Sequence, residues 1–137
     1  MCLSLFEIYC GKAYDLLNSR NECPIRVDKN GKVNIIELKE TVILNVQSVM
    51  SLINYGSSVR VTGTTGANDS SSRSHAVLRI IFRSKKTNKS CGKMSFIDLA
   101  GSERGADVKT CDKQTRIDGA EINKSLLALK ECIRSLD

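Results

Sequence analysis

Short apolar runs, broken by glycine, asparagine and charge, dominate the first part of the chain. Residues 3–10, Leu-Ser-Leu-Phe-Glu-Ile-Tyr-Cys, alternate in part and carry aromatic and β-branched side chains, which predicts a strand. Gly11-Lys12 predicts a turn, and Ala13 to Leu17 continues as an extended or short helical piece. Residues 18–32 are polar, hold the one proline, Pro24, and contain Asn30-Gly31, so they read as a surface loop or weak hairpin. Val33 to Leu44 is β-branched, with short strands expected around Lys39-Glu40. There the period changes. Asn45 is a candidate N-cap, and Val46, Val49, Met50 and Ile53 recur at helical spacing as a core stripe. That helix is expected to reach Tyr55-Gly56, or to run on to Arg60.

A polar loop dense in Gly, Ser, Thr and Asn follows, from Thr62 to His75. Strict alternation resumes at Ala76. Ala76, Leu78, Ile80 and Phe82 fall on one face of a predicted strand, and Val77, Arg79, Ile81 and Arg83 on the other. Ser84 to Gly92, with Lys85, Lys86 and Lys89, predicts a basic hairpin loop, and Lys93 to Leu99 an antiparallel return strand. Arg104 to Gly119 lacks periodicity and reads as a long loop. Glu121 to Leu136 predicts an amphipathic helix. At about 100° per residue, Ile122, Leu126, Leu129, Ile133 and Leu136 fall in a stripe roughly 80° wide, and Lys124, Leu127, Glu131 and Arg134 lie away from it.

Composition narrows the class. The 137 residues allow one domain with a modest core, and 41% hydrophobic content with 26% charge places the chain among globular proteins. A formal charge of +6 points to an acidic partner. With 4% aromatics and no Trp, a base-stacking nucleic-acid platform is poorly supplied, and no nucleic-acid partner is expected. The six cysteines make no C-x-x-C, and His75 is the one histidine, which argues against a zinc site or disulfide framework and fits a reducing compartment. Glu7 interrupts the opening apolar residues too early for a signal peptide, and no run is long enough to span a bilayer, so no membrane partner is expected. The abrupt start at Met1 and the uncapped end at Asp137 are expected to mark a piece of a longer protein.

Candidate chemistry lies in two stretches. Met94 to Ile97, read as a buried strand, delivers Asp98 to its carboxyl end, and Gly101 and Glu103-Arg104 follow. Many phosphate-handling folds meet Mg²⁺ and a terminal phosphate with this arrangement, although a D-x-x-G alone is a short pattern. The polar loop offers hydroxyls and Arg73, the hard oxygens and fixed cation that Mg²⁺ and phosphate require.

Taken together these motifs resemble a kinesin motor domain. Asn68-x-x-Ser71-Ser72-Arg73-Ser74-His75 is similar to the family's first switch loop, and Asp98-Leu-Ala-Gly-Ser-Glu103 to its second. Ile122-Asn-Lys-Ser-Leu-Leu-Ala-Leu129 resembles the start of its main microtubule-facing helix. Phe6-Glu-Ile-Tyr9 with Tyr14-Asp-Leu-Leu17 resembles a family strand and its continuation. A finer likeness runs through residues 101–107, Gln114-Thr-Arg116, 119–125 and Lys130-Glu-Cys-Ile-Arg134. These are similar to the kinesin-thirteen class, internal motors that depolymerise microtubule ends.

The resemblance implies an α/β fold, the P-loop NTPase-like motor fold with a central mixed sheet flanked by helices, incomplete at both ends. It implies ATP and Mg²⁺ as cofactors, tubulin as partner, and a place on cytoplasmic or spindle microtubules. Asn68 belongs to the nucleotide-facing loop. Ser72 corresponds to the hydroxyl on Mg²⁺, and Asp98 to the carboxylate that holds Mg²⁺ through water. The Gly101 backbone N–H corresponds to the γ-phosphate contact. Arg73 and Glu103 correspond to the pair that closes the switches, with Ser71 and Glu103 positioning the attacking water. Lys124, Lys130 and Arg134 are candidates to face acidic tubulin. No G-x-x-x-x-G-K-[ST] occurs in the 137 residues. Residues 1–137 therefore read as a partial motor domain that binds ATP weakly and does not turn it over alone. A translocating kinesin and a non-catalytic tubulin-binding fragment are the other readings.

Overall fold

The computed structural model describes residues 1–62, 73–101 and 113–135. Its elements are β1 (Cys2–Tyr9), β2 (Lys12–Asp15), β3 (Asn21–Cys23), β4 (Ile25–Val27), β5 (Val33–Ile35), β6 (Thr41–Val42), α1 (Val46–Thr62), β7 (His75–Arg83), β8 (Ser90–Asp98) and α2 (Lys113–Arg134). A six-stranded sheet runs β3-β2-β1-β7-β8, with β6 also pairing to β1, while β4 and β5 form a separate hairpin. Every one of these pairings is antiparallel.

The β1–β2 turn explains itself locally. Tyr9 pairs with Lys12, and the two residues between, Cys10 and Gly11, both have positive φ (48° and 75°). Two left-handed residues match the right-handed twist of the flanking strands, which is why a two-residue hairpin uses them. Beyond β2, the buried Asp15 carboxylate accepts the backbone N–H of Leu17 (2.8 Å) and of Lys39 (2.7 Å). The Lys39 ammonium donates to Leu17 O. These bonds hold residues 38–40 against the β2 corner. The strands expected around Lys39-Glu40 form instead on either side, as β5 and β6.

The core lies between β1 and α1. Leu3, Leu5, Leu16, Leu17 and Ile43 are buried together, with Val49, Leu52, Val59, Leu78 and Ile80 packed against them. The α1 cap is reciprocal, as expected for Asn45. Asn45 Oδ1 accepts Ser48 N–H at 2.8 Å, and Ser48 Oγ accepts the N–H of Asn45 at 3.3 Å. The helix presents a different stripe from the expected one. Val46 and Met50 are exposed, whereas Val49, Leu52, Gly56 and Val59 face the sheet. Gly56 sits so close to β1 that an added Cβ would overlap Leu5 Cδ2, so close approach decides the helix rotation.

Two further departures concern the second half. The run Met94–Ile97 is not buried: Met94, Phe96 and Ile97 are about half exposed. Among the described residues β8 pairs with β7 alone, so its outer edge is unpaired. The last helix begins at Lys113 rather than Glu121, inside the segment expected to be a loop. Its rotation follows the pattern only in its first part. Ile122 is buried and Leu126 and Leu129 half-buried, while Lys124, Leu127, Glu131 and Arg134 are exposed. Ile133 of the expected stripe is exposed too, and Leu136 lies outside the described residues. Among the described residues no helix is long and apolar enough to cross a membrane.

Candidate functional site

Antiparallel pairing of β7 with β8 sets the geometry. It places Ala76, one residue into β7, opposite Asp98, the last residue of β8. Ala76 in turn lies opposite Glu7 of β1. Directly paired residues share a face, so Glu7, Ala76 and Asp98 form one row across the sheet on the side that α1 covers. The next row, Ile8 and His75, faces the other way, toward α2.

On the α1 side a polar network fills the end of the sheet. Glu7 is 1% exposed, and its carboxylate accepts Arg20 Nε–H at 2.6 Å and Ser74 Oγ–H at 2.8 Å. Arg60, near the end of α1, donates from Nε to Ser74 Oγ (3.1 Å) and from Nη2 to Ser74 O (2.7 Å). Its Nη1 donates to Asp98 Oδ2 (3.1 Å), and its Nε lies 3.6 Å from Glu7 Oε2. One guanidinium thus joins the residue after Arg73 to the carboxylate at the end of β8. An open groove of about 280 Å³ beside it is lined by Ile53, Arg60, Leu78, Phe96 and Asp98.

On the α2 side the links run through His75. Its Nδ1 accepts the backbone N–H of Ala100 at 3.0 Å, and its Nε2 lies 2.7 Å from Ser125 Oγ. Burial lowers the His75 pKa, the Arg60 charge lowers it further, and Asp98 opposes both. A cavity of about 260 Å³ opens next to this ring, between the β1–β2 turn and α2, lined by Cys10, Arg73, His75, Glu121, Lys124 and Ser125.

The sequence-predicted residues fall into three groups. Asp98 and Gly101 lie together where β8 ends, and Arg73 lies where β7 begins. Lys124, Lys130 and Arg134 lie on the exposed side of α2, with Lys124 3.7 Å from Glu121 and Arg134 3.1 Å from Glu131. Asn68, Ser71, Ser72 and Glu103 lie outside the described residues, and so does the pairing of Arg73 with Glu103. Asp98 has a 73% exposed side chain. A single open carboxylate suits Mg²⁺, which keeps several waters and takes other ligands from phosphates. Among the described residues no group of three or more His, Cys, Asp or Glu could hold a metal unaided. Among the described residues, a Cβ at Gly101 would meet nothing within 4 Å. Room is therefore left for close approach to its backbone.

Sequence reasoning missed Glu7, Arg20, Arg60 and the two-sided role of His75. One signal was available: an acid in the middle of an apolar strand, Phe6-Glu7-Ile8, demands a buried cation. Nothing local says which arginines answer it.

Residues 1–137 match the family model described as the kinesin motor domain. The chain belongs to the kinesin motor family. It is 57% identical over 141 residues to the kinesin-like protein KIN-13B of Arabidopsis thaliana, covering 98% of this chain and 21% of that protein. It is 51% identical to the kinesin-like protein KIN-13A of Oryza sativa subsp. japonica, covering 98% of this chain and 19% of the relative. The chain thus spans about a fifth of the length of these relatives, both of the kinesin-13 class that the sequence resembles. Among solved structures it is similar to KIF14 residues 391–772, a dimer in a two-heads-bound state with AMP-PNP in complex with a microtubule. That likeness has a TM-score of 0.70 and 28% identity, and covers 93% of this chain and 39% of the other. The kinesin motor fold is therefore the fold of this chain.

Proposed function

We propose that this chain is the switch-bearing part of an ATP-hydrolysing microtubule motor that shortens microtubule ends. The β7–β8 pairing carries the reading. It sets the exit of the Asn68-to-His75 motif against the start of the Asp98-to-Glu103 motif, with Arg60 bonded to both Ser74 and Asp98. Two loops that must sense one phosphate have to end side by side, and loops that order around Mg²⁺ and γ-phosphate make a two-state element. The kinesin-13 likeness favours end depolymerisation over walking.

In this reading Asn68 and Ser72 face the nucleotide, and Ser72 with Asp98 holds Mg²⁺, Asp98 through water. The Gly101 N–H meets the γ-phosphate. Arg73 and Glu103 close the switches, and Ser71 and Glu103 orient the attacking water. Lys124, Lys130 and Arg134 face tubulin. Bound Mg²⁺ would neutralise charge on the transferred phosphoryl group, leaving the protein to position and stabilise. Residues 1–137 form a partial motor domain, and the phosphate-binding loop belongs to the longer protein. The site of action is cytoplasmic microtubules, the spindle included. The test is to incubate the full-length protein and ATP with stabilised microtubules. End shortening with stimulated ATPase is expected. Gliding without shortening would refute the depolymerase reading, and tubulin binding with no turnover would refute the motor reading.

A further inference from the structure

We propose that His75 is a positioning residue that ties the second switch to the helix carrying the tubulin-facing cations. The inference rests on the motor reading and names the side chains through which it would couple nucleotide to microtubule. The backbone amide of Ala100 can only donate, so the Nδ1 that receives it at 3.0 Å carries no proton. The neutral ring then holds its proton on Nε2 and donates to Ser125 Oγ at 2.7 Å. Ser125 Oγ–H donates in turn to Ile122 O at 2.7 Å. The chain Ala100 N–H to His75 to Ser125 to Ile122 O has one direction, and each member is committed.

Its ends matter. Ala100 immediately precedes Gly101, whose N–H is the proposed phosphate contact, and both Ala100 and His75 are buried. Ser125 follows Lys124 on α2. The imidazole itself stands at the first residue of β7, two after Arg73. A shift of the Ala100–Gly101 peptide toward or away from an anion must therefore either move the ring or break its bond. The ring's other nitrogen passes that change to α2. A satisfied core histidine would need only one of these partners; this one bridges two segments, 25 and 50 residues away.

The experiment uses the full-length protein and compares ATPase with and without microtubules. Ser125→Ala removes the acceptor of Nε2–H and favours helix, so folding is expected to survive; thermal melting checks it. His75→Asn keeps an acceptor for Ala100 but cannot reach Ser125. Each is expected to lower microtubule stimulation by about fivefold or more, the range of a typical coupling between sites. The double variant should be no worse than either single, because both cut the same link. Ser125→Thr, which keeps the hydroxyl, should restore stimulation. Wild-type stimulation in Ser125→Ala, or losses that add in the double variant, would overturn the proposal while leaving the motor reading intact. Melting points that fall with stimulation unchanged would assign His75 a structural role alone and overturn it too. A wild-type protein without microtubule-stimulated ATPase would overturn both.

Discussion

Replacing Glu7 probes whether the buried network holds the sheet end together. Glu7→Ala deletes the acceptor of Arg20 Nε and Ser74 Oγ and takes a counter-charge from Arg20 and Arg60, whose side chains are only 20% and 12% exposed. Breaking a buried pair from one side costs about 3–5 kcal/mol, because a desolvated charge loses its partner. Glu7→Gln keeps the shape and an oxygen for Ser74 but sets an amide NH₂ or a neutral oxygen against Arg20. A lost charged hydrogen bond is worth about 1.5–3 kcal/mol. For a domain of about 150–250 residues each kcal/mol shifts the melting point by about 2–4 °C. Glu7→Ala should therefore lower it by about 6–20 °C, and Glu7→Gln by about 3–12 °C. Calorimetry on the full-length protein measures both. Two variants that each melt within about 2 °C of wild type would place the pair with exposed salt bridges, worth about 0–1 kcal/mol, and refute the buried network.

Other expectations follow from the same geometry. Gly101→Ala meets open space among the described residues, so it should fold normally yet lower microtubule-stimulated turnover by about 100-fold or more; unchanged kcat would remove the γ-phosphate role. Gly56→Ala gains helix propensity but overlaps Leu5, and a net destabilisation of about 1–2 kcal/mol is expected by denaturant titration. His75 has a lowered pKa in the fold, so the unfolded chain binds its proton first. Its contribution to stability should be present above about pH 6.5 and lost as pH falls below that, because protonation of Nδ1 expels the Ala100 N–H. The charges of Arg60 and Asp98 act on the ring from the opposite side of the sheet, Arg73, Glu121 and Lys124 line the cavity beside it, and melting of His75→Gln should depend less on pH over that range. Charge reversal at Lys130 and Arg134 should raise the half-saturating microtubule concentration and leave the melting point within about 1 °C, since both side chains are exposed.

By itself the sequence determined what depends on neighbours in the chain. A turn at Gly11 (centred on Cys10-Gly11, one residue before the expected Gly11-Lys12), the Asn45 cap, the β7–β8 hairpin and the Ile122 end of the α2 stripe were legible, because a turn, a cap and a period are local or repeating signals. The Asn68-to-His75 and Asp98-to-Glu103 motifs were legible as residue types in order. What they touch was not. Glu7 meets Arg20, Arg60 and Ser74, which lie 13, 53 and 67 residues away, and no spacing rule pairs groups at such distances. The rotation of α1 was decided by close approach at Gly56, against a stripe that included Val46 and Met50. The start of α2 at Lys113 was missed because its first residues are polar and show no apolar period. Tertiary structure alone put Ala76 opposite Asp98 and one imidazole between Ala100 and Ser125. Register and packing select those partners only once the strands are side by side.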